Sequence, residues 1–276
     1  MTPLKIGAAL KADNIAQHRD WLFSDNRDLE LQDFFHFDVF RAGWQDTVDR
    51  ARAALDGFEG RLGIHGPFVG LDISTPDPDV AEVIGKRYAD AVAAAAAVGA
   101  RQMVIHSPFD NWHSYNRFNF KEPGQNSVVE KVAGDVKALL APALTLAETH
   151  GVTLVVENIK DITPSIRREM IEIIDTPALA LSIDTGHAQI AQRASVAPPV
   201  DVFVRDAGNK LKHMHIQDTD GYADRHWAPG EGHIEWVEVF RALGELDSEP
   251  HLVLELKRHE DIPAGFAHLK ALGLVV

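Results

Sequence analysis

Six short apolar runs in this chain end on a histidine or a carboxylate: Gly63-Ile64-His65, Met103-Val104-Ile105-His106, Leu154-Val155-Val156-Glu157, Leu181-Ser182-Ile183-Asp184, Lys212-His213-Met214-His215 and Leu252-Val253-Leu254-Glu255. Short, nearly continuous apolar runs read as strands buried on both faces, as in a parallel sheet covered by helices. Polar residues at the same end of strand after strand point to one site fed by many strand ends. After Asp184 the chain turns through Gly186 and presents His187 on the loop just beyond.

The rest of the chain alternates in the same way. Strand patterns cover Leu4–Leu10, Asp28–Gln32, Arg61–His65, Gln102–His106, Thr153–Glu157, residues 179–183, Leu211–Ile216 and His251–Glu255. Helical periodicity covers Asn14–Phe23 with Asp13 as N-cap, Trp44–Phe58, Asp79–Gly99, Asn126–Gly151 across Pro142, Thr163–Ile174, Ile234–Leu246 and Ile262–Leu272; Gln189–Gly208 is mixed helix and loop. Strands alternating with helices imply parallel pairing through helical crossovers. Eight such units over 276 residues, with no linker or low-complexity break, predict a single (β/α)₈ barrel domain spanning 1–276. Two aromatic segments stand apart. Phe34, Phe35, Phe37 and Phe40 either cap the barrel or wall a ligand, and Ser107–Gly124, with Trp112, His113, Tyr115, Phe118 and Phe120, reads as a lid.

A net charge of -14 argues against a broad basic surface and disfavours nucleic acid as a partner. Without cysteine there is neither a disulfide framework nor a thiolate metal site. The longest apolar stretch, near residues 91–100, is too short to span a bilayer, and the N-terminus enters a strand pattern at once, so a soluble cytoplasmic protein is expected. Whether it forms a homo-oligomer is left open.

In a (β/α)₈ barrel the active site forms at the C-terminal ends of the strands. There Glu157, Asp184, His215 and Glu255 would converge. Three carboxylates in one mouth repel and raise one another's pKa, and a divalent cation (zinc, manganese, cobalt or magnesium) removes that conflict. His65, His106, Asp224 and His226, with His187, form a second group suited to one or two further metals or to substrate hydroxyls. His18, His150, His259 and His268 read as surface residues. His213 shares the face of His215 one layer deeper and is left out of the ligand set.

Leu181-Ser182-Ile183-Asp184-Thr185-Gly186-His187, His215-Ile216-Gln217-Asp218, and Asp224-Arg225-His226 leading into Pro229-Gly230-Glu231-Gly232-His233-Ile234 resemble the xylose-isomerase-like barrel superfamily. That group holds sugar and sugar-phosphate isomerases and epimerases, and also the endonuclease IV type of apurinic-site nuclease. The epimerase resemblance implies one Mn, Co or Mg ion on Glu157, Asp184, His215 and Glu255, with Glu157 and Glu255 as acid and base and His187 on the substrate. The nuclease resemblance implies three zinc ions, with His65, His106, His187, Asp224 and His226 joining the same four positions. The acidic balance, the likeness of Asp28–Gln32 to the second strand of sugar isomerases, and Trp236 after the Gly230–Gly232 loop favour the isomerase side.

The resulting expectation is a metal-dependent sugar or sugar-phosphate isomerase or epimerase, transferring a proton through a metal-stabilised enediolate with a small carbohydrate as partner. His187 and Arg225 would hold hydroxyls or a phosphate, and Phe68, Trp112 and Trp227 would shed water. An apurinic-site phosphodiesterase is the alternative; a sugar dehydratase or lyase, or a non-catalytic sugar-binding barrel, is the second.

Overall fold

Two-residue periodicity organises the interior. Met103, Ile105, Leu154, Val156, Leu179 and Leu181 join the large core shared with the helices, whereas Val104, Val155 and Ala180 between them form a separate small apolar cluster. Successive side chains of a strand point to opposite faces, so these three mark the inward-facing row. Two residues further along each strand, the same row carries His106, Glu157 and Ser182, and then Asp184.

The computed structural model describes residues 2–116 and 127–276. Its strands are β1 (Gly7–Leu10), β2 (Leu29–Leu31), β3 (Leu62–His65), β4 (Gln102–His106), β5 (Thr153–Glu157), β6 (Leu179–Asp184), β7 (Leu211–Ile216) and β8 (His251–Leu254). Each pairs in parallel with its neighbours in sequence and β8 pairs with β1, closing the barrel. The register sets His106 beside Glu157 and Asp184 beside His215. The helices are α1 (Ile15–Ser24), α2 (Phe37–Ala42), α3 (Gln45–Ala54), α4 (Pro78–Val98), α5 (Asn111–Asn116), α6 (Val128–His150), α7 (Ser165–Ile174), α8 (Thr185–Ser195), α9 (Val200–Ala207), α10 (Trp236–Leu243) and α11 (Ile262–Ala271). Among the described residues no helix is long and apolar enough to cross a membrane.

Local chemistry explains where the long helices begin and end. Asp77 caps α4 by accepting from the amides of Asp79 (3.0 Å) and Val80 (3.3 Å), Pro78 fits the first turn, and left-handed Gly99 ends the helix. A capping box opens α6: the Glu130 amide donates to Ser127 Oγ (3.1 Å) and the Ser127 amide to Glu130 Oε2 (2.7 Å). The two helices meet closely at Gly85, where a Cβ would lie 2.7 Å from the Leu139 carbonyl oxygen. At the N-terminal end of the barrel Arg61 clamps Asp28 with two bonds (2.7 and 2.8 Å), and Asp28 also accepts from the Leu252 amide (2.9 Å). That end is fastened by structural pairs, which leaves the chemistry to the opposite mouth.

Four sequence expectations need correction. The first strand begins at Gly7 rather than Leu4, although Leu4 bridges Val275. Asp13 lies inside a 3₁₀ turn, Ala12–Asn14, and does not cap α1. His187 sits in the first turn of α8 rather than on a loop, because Asp184 caps that helix by accepting from the His187 amide (2.7 Å). The segment read as a lid contains α5; Phe118 and Phe120 lie outside the described residues.

Candidate metal centre at the barrel mouth

Glu157 ends β5, Asp184 ends β6, His215 lies on β7, and Glu255 follows β8. All four reach one volume. His215 Nδ1 lies 3.2 Å from Glu157 Oε1 and 3.5 Å from Glu255 Oε2. One ligand atom each from Asp184, His215 and Glu255 lies within 4.8 Å of the others. The second group arrives at the same mouth. His65 and His106 place their Nε2 atoms 3.8 and 3.7 Å from Glu157 Oε2, while His187 Nε2 and His226 Nε2 lie 3.4 and 3.2 Å from Asp224 Oδ2. All nine metal-site candidates therefore gather around one opening. A cavity of about 330 Å³ is lined by Glu157, Glu255, all five of the second group, Gln32, Phe35, Phe68 and Ile159.

The donor set fits divalent ions. Donors about 2.1 Å from a shared tetrahedral ion stand roughly 3.4 Å apart, close to several of these separations. Glu157 Oε2 is buried and has no hydrogen-bond partner, an expensive state for a carboxylate oxygen unless a cation faces it. The imidazoles are anchored as ligands are. Nδ1 of His65, His187 and His226 lies 2.9, 2.9 and 3.0 Å from the carbonyl oxygens of Gly66, Asn158 and Glu255. A carbonyl only accepts, so each Nδ1 carries a proton and Nε2 is the nitrogen left to face the mouth. His215 is reversed: its Nε2 meets Glu30 Oε1 at 3.0 Å, and Nδ1 faces the centre.

Charge follows from this packing. Burial works to raise the Glu157 carboxyl, but the His215 charge and hydrogen bonds from His187 and His215 take it well below its ordinary value. Burial works to lower His215, and Glu255, Glu30 and Glu157 carry it well above. His187 is likewise raised, by Asp184, Asp224 and Glu157 against burial. His226 rises to about 9 against burial, through Asp224 and Glu255. Burial, reinforced by Glu157 and Glu255, pushes Asp184 up to about 6, and burial takes His106 down to about 3.

Sequence reasoning assigns no role to several groups that position the site. Gln217 donates to Asp184 (3.2 and 3.4 Å) and Asp224 (3.0 Å), tying the β6 end to the loop after β7. Gly186 makes room for it, since a Cβ there would lie 2.3 Å from the Gln217 amide. Asn158 pairs with the backbone of Asp184 in both directions (2.9 and 3.0 Å). Glu30 is a lone glutamate between two buried leucines on β2; the only hint is that a polar residue alternating with leucines there must face the barrel interior.

The aromatic expectations divide. Phe68 stacks on His106 with ring centroids 4.1 Å apart and lines the cavity, as does Phe35, whereas Phe34 and Phe40 are buried in the core. Three anticipated substrate contacts are not among the residues that line the cavity. Arg225 is held by Asp220 (2.9 and 3.2 Å) over the Trp227 ring. Trp227 is fixed in turn by its backbone pairing with Asp218 (2.8 and 3.1 Å). Trp112 lies on α5, 70% exposed.

Residues 28–272 match the family described as xylose isomerase-like TIM barrel. The chain belongs to this family, and its closed eight-stranded parallel barrel is the fold that description names. Among its relatives, an uncharacterised protein of Methanocaldococcus jannaschii is 25% identical over 214 residues, covering 75% of this chain and 68% of the relative. D-psicose 3-epimerase of Ruminiclostridium cellulolyticum is 24% identical over 198 residues, 69% of this chain and 61% of the enzyme. A Thermus thermophilus protein soaked with ZnCl2 superposes with a TM-score of 0.72 at 25% identity, covering 98% of both chains.

Proposed function

We propose that this protein is a divalent-cation-dependent sugar epimerase or isomerase that moves a proton beside a carbonyl. The observation that carries the reading is the pair of glutamates, Glu157 and Glu255, reaching the same imidazole nitrogen of His215 from the ends of two different strands. Glu157, Asp184, His215 and Glu255 would hold the ion; manganese, cobalt, magnesium and zinc all suit such oxygen and nitrogen donors. When bound, the cation supplies positive charge against the negative charge that develops on the substrate oxygen. One glutamate takes the proton from the carbon beside the carbonyl, and that electron pair moves toward the carbonyl oxygen. The other, protonated, returns a proton to the opposite face for epimerisation, or to the neighbouring carbon for isomerisation. His187 and His65 present Nε2 to substrate hydroxyls, and Phe35, Phe68 and Ile159 keep water from the reacting carbon. A family that includes sugar epimerases among its members supports the reading. So does the cavity wall, where no lysine or arginine stands among the described residues to bind a phosphodiester.

The test is a ketose panel including D-psicose, incubated with manganese-loaded protein in deuterated water. The expected result is deuterium at the carbon beside the carbonyl. Glu157→Gln and Glu255→Gln should each lose roughly 10²–10⁴-fold in exchange rate, the range for a positioned general base. Wild-type exchange in either variant rules out the assignment.

A second reading rests on a separate observation. The two oxygens of Glu157 face different imidazoles, Oε1 toward His187 and His215 and Oε2 toward His65 and His106, while His187, Asp224 and His226 form a further triad. Glu157, His65, His106, His187, Asp224 and His226 would hold further zinc ions beside the first, and a multinuclear zinc centre would supply the charge for phosphodiester hydrolysis. About three zinc ions per chain, with incision of an abasic duplex, would establish it.

A further inference from the structure

Beneath the mouth lies a polar chain for which the proposed reaction has no use. Glu30, on β2, is 1% exposed. Its Oε1 lies 3.0 Å from His215 Nε2 and accepts from Gln32 Nε2 at 2.8 Å. The same Gln32 amide donates to Glu255 Oε1 at 3.0 Å. Oε2 of Glu30 lies 3.0 Å from His213 Nε2, and His213 Nδ1 is 2.8 Å from Ser182 Oγ. Residues of β2, β6 and β7 thus form one buried row, which Gln32 and Glu255, just past the ends of β2 and β8, join to the mouth; a fully buried carboxylate without polar partners would be prohibitively costly there.

We propose that Glu30 is the positioning residue of the cation site: it fixes His215 with the proton on Nε2 and Nδ1 bare, and through Gln32 it holds Glu255 beside it. An ionised carboxylate is acceptor-only, so the His215 nitrogen facing it must donate. The other nitrogen, which faces Glu157 and Glu255, is then the only one free to ligate. One side chain below the cation orients two of the four groups around it, although it lies too deep to touch substrate. Outer carboxylates of this kind set ligand orientation and raise imidazole basicity, and losing one ordinarily costs 10–100-fold in metal affinity.

The inference rests on the reading of Glu157, Asp184, His215 and Glu255 as a cation site, and the experiment separates the two. Zn²⁺ affinity is measured by competition with a chromophoric chelator for the full-length wild type and Glu30→Gln. The melting temperature of each chelator-treated protein is followed alongside. The expected result is a dissociation constant raised roughly 10–100-fold in Glu30→Gln, with melting of the metal-free variant close to wild type. A folded Glu30→Gln protein binding Zn²⁺ within about twofold of wild type overturns the role of Glu30 and leaves the cation site standing. A wild type that takes up no Zn²⁺ overturns both. Should Glu30→Gln not fold, ¹⁵N-imidazole NMR of the Zn²⁺-loaded wild type decides. His215 bound through Nδ1 with a protonated Nε2 supports the inference, and binding through Nε2 overturns it.

Discussion

Single carboxylates at the mouth hold single histidines in their charged form. His187 and His215 are raised well above their ordinary value and His226 to about 9, so at pH 7 all three carry protons in chelator-treated protein. Ligation needs the neutral imidazole, so cation uptake must release protons, and affinity must climb with pH. Calorimetric titration with manganese in buffers of differing ionisation enthalpy should therefore give buffer-dependent heats. Identical heats in all buffers would contradict this charge assignment. Gly186 gives a prediction of a different kind. A methyl at this position would occupy the space of the Gln217 amide, 2.3 Å away. Gly186→Ala should cost roughly 1–3 kcal/mol by overpacking and loosen Asp184 and Asp224 together. Urea denaturation reads the first effect; an unchanged midpoint would show that Gln217 is free to move.

The junction between α7 and the strand ends is where element-scale energetics are most exposed. Arg167 is fully buried and donates Nη1 to the carbonyl oxygens of Val156 (2.6 Å) and Ser182 (2.7 Å), while its Nε meets Asp161 at 2.7 Å. One guanidinium on a helix thereby holds β5 and β6 just before Glu157 and Asp184. Burial pushes Asp161 up to about 6 even against the pull of Arg167 and Ser107, so desolvation outweighs the attraction of the pair. Breaking such a pair is far more costly than replacing it whole. Arg167→Met should lose about 3–5 kcal/mol in chemical denaturation, and adding Asp161→Leu should return part of it. A double variant no more stable than the single one would contradict this account. Legibility also varied by element. Gln102–His106 and Thr153–Glu157 were readable residue for residue because each apolar run is cut off by a polar group at the mouth, and Leu211–Ile216 because a long polar loop begins at Gln217. The start of α1 was not: a 3₁₀ turn precedes it, and Asp13 looks like a cap from sequence alone. Thr185-Gly186 reads as a turn although Asp184 makes it the first turn of a helix.

At the scale of the whole molecule, closure of the barrel made the titratable cluster legible, since strand-end residues far apart in sequence have nowhere else to go. What stayed illegible was the neutral and deep support. Gln217, Asn158 and Gln32 carry no charge pattern, and Glu30 matters only once β2 is known to face β7 across the interior. Arg225 read as a substrate group because nothing in sequence reveals that Asp220, five residues earlier, already holds it. The core is apolar and independent of the mouth, so the barrel should persist without a cation. Cation binding to the native state alone should add about 2.7 kcal/mol at a hundredfold excess over the dissociation constant, raising the melting temperature with concentration. Collapse of the circular dichroism spectrum on chelation would show instead that the ion builds the fold. The most direct test of the central claim is anomalous diffraction at the manganese edge from crystals of the loaded protein. The account predicts a peak within bonding distance of Glu157, Asp184, His215 and Glu255; a fully loaded protein with no peak among these four would contradict it.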